Sequence, residues 1–351
     1  MNTKGSLTIA IDAMGGDFAP YSVLAGAEKI ALKSERVKFL LFGDAAILNT
    51  EIVKYPALLL KSEIIHSDDK VAPDEKPSIA LRHSKKTSMG MAIEAVKDGR
   101  ADAIVSSGNT GALMAIAKLA LRALPGIHRP AIVGMFPSKG GKIVMLDLGA
   151  NAECDADNLF QFAIMGDAFA KLVLDLREPK VALLNIGSED VKGNEAVRSA
   201  AAALRITQNP INFCGFIEGN DIINGVADVV VTDGFSGNIA IKTAEGTAIL
   251  CKDFLREAFA MNIFTKIGYL LARSSIKKAF TKFDHRLYNG AMFVGLNGIV
   301  IKSHGSADEV AYANAISVAI ELASKDINKK IIKELEFSKS DIDISRNRTK
   351  V

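Results

Sequence analysis

Short runs of β-branched and apolar residues alternate along this chain with longer amphipathic or Ala-rich stretches, and that alternation restricts the fold more than any other feature. The runs Leu7–Ile11, Val37–Phe42, Ala103–Ser106, Ile132–Met135, Lys142–Leu148, Val181–Ile186, Ile211–Phe216 and Asp228–Thr232 have the length and composition of strands. The stretches Pro20–Leu32, Ser88–Asp98, Ala112–Leu124, Asn158–Leu174, Asn194–Leu204 and Asn238–Phe259 read as helices. Strand, loop and helix in succession build βαβ units, so the expected fold is α/β: three layers, α/β/α, around a mostly parallel sheet covered on both faces. A chain of 351 residues, 49% apolar and 24% charged, has ample interior for such a core and is not a disordered one. The expected layout is one catalytic domain over residues 1–335 and a charged tail over 336–351.

One segment breaks the rhythm. From Ala258 to Phe283 there is no acidic residue, while Lys266, Arg273, Lys277, Lys278 and Lys282 are interleaved with apolar side chains. This has the makeup of a protruding amphipathic segment, inserted at 258–283, that lies on a membrane. Ile263, Phe264, Ile267, Leu270 and Leu271 would enter the headgroup boundary and the cations would meet anionic lipid. A helix buried between subunits, or a lid over a tunnel, is the competing reading. No run reaches the roughly 18 uninterrupted apolar residues of a spanning helix, and Met1–Gly5 lack a hydrophobic signal region. Cys154, Cys214 and Cys251 are dispersed, which suits a reducing cytosol. The expected location is therefore the cytoplasm, peripheral to the inner face of the cell membrane. A net charge of only +3 and the absence of Trp argue against a nucleic-acid partner.

Most strand ends run into loops rich in Gly, Asn or Asp: Asp12–Asp17, Ser106–Gly111, Asp147–Asn151, Asn185–Asp190 and Asp233–Asn238. In a parallel sheet such loops gather at the carboxyl edge, where ligands bind, and each opens a helix whose free N–H groups attract anions. Taken singly, each loop is explained by tight turns and helix caps; five of one chemistry favour a shared polar site. Lys192, between a strand and a helix start, can hold a phosphate oxygen or an oxyanion, or can be a solvated surface lysine beside Glu189 or Asp190.

Other chemistries lack their residues. No G-x-G-x-x-G occurs, and Ser138–Lys142 lacks the earlier Gly and the Ser or Thr of a nucleotide loop, so its Gly pair reads as a tight hairpin. Gly234-Phe235-Ser236-Gly237 is not a nucleophile elbow, and Ser236 reads as a helix cap. No His lies near Cys154 in sequence, and His66, His83, His128, His285 and His304 have no ligand spacing, so no metal is expected.

Taken together the motifs resemble those of the bacterial phosphate acyltransferases of phospholipid synthesis, the PlsX family. The resemblance runs from about Leu7 to Leu322. It is carried by Ile11–Asp17 (IDAMGGD), Ser107–Ala112 (SGNTGA), Leu146–Asn151 (LDLGAN), Leu184–Gly187 (LNIG) with Lys192–Glu195, Phe216–Asp221, Asp228–Asn238 (DVVVTDGFSGN) with Lys242 and Glu245-Gly246, and His304–Ser306. It implies a homodimer with a fold similar to the isocitrate and isopropylmalate dehydrogenases, without their nucleotide chemistry. It implies transfer of a fatty acyl group from acyl carrier protein to inorganic phosphate, with no cofactor beyond the phosphopantetheine that the carrier protein brings. The product would feed a membrane acyl-phosphate:glycerol-3-phosphate acyltransferase. By position, Lys192 and Asn238 are the implied catalytic residues. Asp12, Gly15, Gly16, Asp17, Asn109, Thr110, Gly111, Asn151, Gly187, Ser236, Gly237, His304, Gly305 and Ser306 are the implied walls for substrate and phosphate.

Such an enzyme has no need of its own nucleophile; it must hold phosphate beside a thioester and stabilise the tetrahedral oxyanion. Three rival readings stand beside it: a short-chain phosphotransacetylase using acyl-CoA, an NAD-dependent decarboxylating dehydrogenase, and a non-enzymatic lipid-binding scaffold.

Overall fold

In the computed structural model, residues 6–207, 211–281 and 285–335 are described, those at 279–281 and 285 by backbone alone. The expected tail at 336–351, the expected start at Met1–Gly5, and Lys282 and Phe283 of the acid-free segment lie outside them. The strands are β1 Leu7–Asp12, β2 Val37–Gly43, β3 Ser62–His66, β4 Ala103–Ser106, β5 Ala131–Ser138, β6 Gly141–Leu146, β7 Lys180–Leu184, β8 Asn212–Ile217, β9 Val229–Val231, β10 Ala291–Val294 and β11 Ile299–Lys302. All of them join one sheet in the order β3-β2-β1-β4-β11-β10-β5-β6-β9-β7-β8. The sheet is mostly parallel and carries helices on its faces, as expected. Three strands, β3, β10 and β11, fall outside the expected set, and the Gly140-Gly141 pair turns the β5–β6 hairpin.

The expected single carboxyl edge is corrected by the strand directions. β1, β2, β3, β4 and β11 are parallel to one another; β6, β9, β7 and β8 form a second parallel set. Between them β10 pairs antiparallel with β11 and with β5, and β5 pairs antiparallel with β6. An odd number of reversals leaves the two halves pointing opposite ways. Their carboxyl ends nevertheless meet, because of register. One row of partners crosses every strand: Ile64, Leu41, Ile11, Val105, Ile301, Met292, Val133, Leu146, Val231, Leu183 and Phe216. The residues that follow this row are Asp12, Ser106 and Lys302 in the first half, and Asp147 and Thr232 in the second. The chain direction thus switches in the middle of the sheet, which is where open α/β sheets form their binding crevices.

Side-chain alternation supplies the layers. Ile9, Ile11, Phe39, Leu41, Val105, Val144 and Val229 face one core, shared with helices Tyr21–Ala31, Ala156–Val173, Glu195–Ile206 and Glu309–Ser324. Ala10, Leu40, Phe42, Ile104 and Val300 face the other, packed by helices Ser88–Lys97 and Thr110–Leu121. A smaller cluster, Ile143, Met145, Ala182, Ile217 and Val230, continues that second face.

The helix expected over Asn238–Phe259 is longer, Gly234–Ala260, and a second helix, Ile263–Thr281, folds back along it. Asn262 caps the return by accepting from the Thr265 N–H at 3.0 Å, and the Phe259 and Tyr269 rings sit 5.4 Å apart. Ile263, Phe264, Ile267, Leu270 and Leu271 are all exposed, Phe264 by 82% and Leu271 by 81%. Their spacing puts them on one stripe of the helix. Among the described residues no helix is long and apolar enough to cross a membrane.

Candidate active site

Three loops of the first half converge. The Asp12 carboxylate is buried at the end of β1 and accepts from Ser88 Oγ and Ser106 Oγ, each at 2.6 Å. Burial raises its pKa, and the two serine hydrogen bonds act against that rise. Gly15 cannot be larger, since a Cβ there would lie 2.4 Å from Asp12 Oδ2 and 2.8 Å from the Gly108 nitrogen. Gly16 takes a left-handed φ of +103°, and the Asp17 N–H donates to the Gly305 carbonyl at 2.9 Å. Asn109 caps helix Thr110–Leu121 by accepting from the Ala112 N–H at 2.9 Å. Its amide donates to the Pro73 and Glu75 carbonyls at 2.8 and 3.0 Å. Around these groups lies a cleft of about 260 Å³, walled by Gly16, Asp17, Ser107, Asn109, Thr110 and Lys302, among others. His304 and Ser306 line an adjoining hollow of about 200 Å³, where His304 Nδ1 and Ser306 Oγ are 2.9 Å apart.

Two loops of the second half form another cluster around Asp147. Its Oδ1 accepts from the N–H groups of Ile132, Gly149 and Ala150, and its Oδ2 from the Asn151 N–H and side-chain amide, at 2.7 to 3.2 Å. Helix Gly234–Ala260 starts directly on this loop. A Cβ on Gly237 would fall 2.0 Å from the Asp147 carbonyl oxygen, and Asn238 stands over Gly149. The helix cap is Asp233, not Ser236: Asp233 accepts from the Ser236 N–H at 2.8 Å and from its hydroxyl at 2.9 Å. Asp233 stands immediately before the helix, where a side-chain oxygen can accept from the first-turn N–H groups, whereas Ser236 already lies inside that turn.

The clusters join through Lys242, one turn beyond Asn238, whose Nζ lies 3.5 Å from His304 Nε2. The structure thus brings Asp12, Gly15, Gly16, Asp17, Asn109, Thr110, Gly111, His304, Gly305 and Ser306 to one bank, and Asn151, Ser236, Gly237 and Asn238 to the other. Gly187 and Lys192 belong to the neighbouring β7 loop. Lys192 is exposed there; its N–H donates to Glu189, its carbonyl accepts from the Asn185 amide, and its stem folds close over Gly187.

Neither candidate nucleophile is activated. Burial, and then the nearby Asp147 charge, pushes the Cys154 thiol up to about 12. The Ser236 hydroxyl is engaged by a carboxylate and not by an imidazole. Among the described residues no group of three or more His, Cys, Asp or Glu side chains is arranged to hold a metal. Sequence reasoning placed Ser106 and Asp147 in the site loops without a role of their own, and missed Lys302 and Ser88; the signal for Lys302 was a lysine ending an apolar run two residues before His304.

The profile of the fatty acid synthesis protein family matches residues 7–330. Among curated relatives, the phosphate acyltransferase of Paramagnetospirillum magneticum is 52% identical over 95% of both chains. That of Rhodospirillum centenum is 54% identical over 93% of this chain and 92% of its own, and that of Ehrlichia canis 49% over 94% and 99%. Two solved structures share the fold at low identity. A phosphotransacetylase from Streptococcus pyogenes has a TM-score of 0.60 at 18% identity, over 91% of this chain and 94% of its own. The EutD phosphotransacetylase from Staphylococcus aureus scores 0.57 at 16%, over 91% and 94%. With a profile match over nearly its whole length and relatives at half identity, the chain belongs to the fatty acid synthesis protein family, alongside the phosphate acyltransferases.

Proposed function

We propose that this protein transfers a fatty acyl group from the thioester of acyl carrier protein to inorganic phosphate, yielding acyl phosphate for phospholipid synthesis. The observation that carries the reading is the pairing of a cation-bearing, N–H-rich cleft with a second amide-rich bank, together with the absence of an activated nucleophile at Cys154 or Ser236. Such a site suits a reaction in which the acceptor itself attacks. A phosphate oxygen adds to the thioester carbonyl carbon, the C–O bond forms and the C–S bond breaks. The departing thiolate takes the proton released by hydrogen phosphate, giving acyl phosphate and free carrier thiol. Lys192 is assigned to phosphate or the developing oxyanion, and Asn238 to the thioester carbonyl; the Gly237 N–H, expected to share that role, already donates to the Asp233 carbonyl at 3.0 Å. No cofactor enters this scheme.

The exposed stripe at Ile263, Phe264, Ile267, Leu270 and Leu271, flanked by Lys266, Arg273, Lys277 and Lys278, supports peripheral attachment to an anionic membrane at its cytoplasmic face. There a homodimer would hand its product to a membrane acyl-phosphate:glycerol-3-phosphate acyltransferase.

The test is incubation with palmitoyl-carrier protein and labelled phosphate, scoring hydroxylamine-sensitive product and free carrier thiol, with acetyl-CoA as a parallel donor. Labelled acyl phosphate from the carrier thioester is expected. Product from acetyl-CoA alone would make the protein a short-chain transacetylase, and no thiol release from either would reduce it to a binding scaffold.

A further inference from the structure

We propose that Lys302 is the cation that seats the attacking phosphate, in the cleft at the start of helix Thr110–Leu121. This deepens the function proposed above and rests on phosphate being the acceptor.

Lys302 ends β11, beside Ser106 of β4, one step past the row where the two halves of the sheet change direction. Its ammonium donates to the Ser107 carbonyl at 3.4 Å and to the carbonyl of Ser303, and its side chain lines the 260 Å³ cleft. The charges around it come from several elements: Asp12 from β1, Asp17 from the loop after it, and Lys242 from the long helix, while Lys70 also lines the cleft. The lining of the cleft carries Lys70 and Lys302 against the carboxylate of Asp17, and Lys242 is itself paired with Glu245. Asp12 cannot turn to a ligand, since Ser88 and Ser106 hold both its oxygens. It is a fixed counter-charge for Lys302.

Two further features call for an anion with several acceptor oxygens. The first turn of the helix opens on the cleft, where N–H groups beyond the Asn109 cap lack intrahelical acceptors. Independently, the Ser107 hydroxyl is buried in the cleft wall, the residue being only 4% exposed, and has no hydrogen-bond partner among the described residues. A buried orphan hydroxyl costs stability unless a ligand uses it. A tetrahedral oxyanion at this point can accept from Lys302, from the helix amides and from Ser107 together. The desolvated ammonium, its pKa pushed down to about 8 chiefly by burial, gains by meeting a dianion. The acceptor then belongs to the first half of the sheet, and the thioester to the second-half bank at Gly237 and Asn238.

The experiment is equilibrium dialysis of the full chain against labelled inorganic phosphate without any acyl donor, for the wild type, Lys302→Met and the surface control Lys97→Met. Lys302→Met should weaken phosphate binding at least tenfold and the control should not. Unchanged binding in Lys302→Met, or no measurable binding by the wild type, overturns the proposal. Should Lys302→Met fail to fold, wild-type protein is acetylated at pH 8 with and without phosphate and its peptides are weighed. Shielding of Lys302 by phosphate supports the assignment, and equal labelling refutes it. Phosphate bound through Lys302 by a protein that makes no hydroxylamine-sensitive product would sink the proposed reaction and leave this site standing.

Discussion

Lys242 Nζ stands 3.5 Å from His304 Nε2, across 62 positions of sequence. Lys242 belongs to the helix that begins on the Asp147 loop, and His304 to the loop after β11, so this contact is where the two banks of the cleft meet. Glu245, one turn further on, steadies the lysine at 2.6 Å. Asn238 therefore lies about 6 Å along the helix from a group that touches the loop after β11. That reach is short enough for one substrate to bridge them.

Lys192 is exposed and hydrogen-bonded only through its backbone in the contacts described for it. Lys192→Ala should therefore keep wild-type stability, within about 0.5 kcal/mol, while losing most turnover. Thermal unfolding and acyl-phosphate formation measured together decide it; near wild-type turnover removes Lys192 from the mechanism.

Two glycines of one helix should respond in opposite directions. Gly237→Ala forces a methyl within 2.0 Å of the Asp147 carbonyl oxygen, and the helix can move only by leaving the loop. A loss of at least ~2 kcal/mol is expected, with activity falling as well. Gly246 has nothing within 4 Å of its Cβ position, so Gly246→Ala should gain up to ~1 kcal/mol from helix propensity. Urea unfolding of both variants provides the check, and equal effects would contradict the close approach at Gly237.

His83 should make the cleft wall pH-sensitive. Its Nδ1 lies 2.8 Å from Asp69 and its Nε2 2.6 Å from Glu75, and its pKa is raised, first by the Glu75 hydrogen bond. The protonated ring donates to both carboxylates; the neutral ring can donate to only one. Because the folded state holds this proton more tightly than the unfolded state, the stabilisation is complete below about pH 6.5 and is lost as pH rises through the folded value. Residues 69–76, which carry Lys70, Val71 and Pro73 to the cleft, should lose hydrogen-exchange protection over that window. An NMR titration placing His83 at or below its ordinary value would remove the basis for this.

The hairpin should act as the membrane contact. Ile263→Asp, Ile267→Asp and Leu271→Asp together place three charges on the exposed stripe without touching either core. The triple variant should stay folded and fail to float with phosphatidylglycerol vesicles, whereas the wild type floats and is released by salt. Flotation equal to the wild type would return the stripe to another use.

Much of the scaffold was legible residue by residue. The eight expected strands are all present because runs such as Val37–Phe42 and Val181–Ile186 pair apolar content with β-branched shape, and turn residues bound them. Asn109, Asn194 and Asp233 cap helices, so part of the polar loop chemistry is local punctuation, as the plainer reading held. β3 escaped because Ser62–His66 carries only two apolar residues; length does not explain β10 and β11, since β4 and β9 are no longer and were expected. Lys302 escaped with β11, since a lysine has no visible role until its strand has neighbours.

Local pattern by itself determined which segments are strands or helices, where several helices begin, and which stretch is stripped of acids, because these depend on side chains a few residues apart. Only the tertiary structure decided that the halves of the sheet run in opposite directions and that their ends share a row. That outcome depends on β10 entering between β11 and β5, a pairing of segments some 160 residues apart. Parallel and reversed halves show the same alternation along the chain, so the approach of Lys242, on the helix of Asn238, to His304, two residues after Lys302, is a property of long-range register.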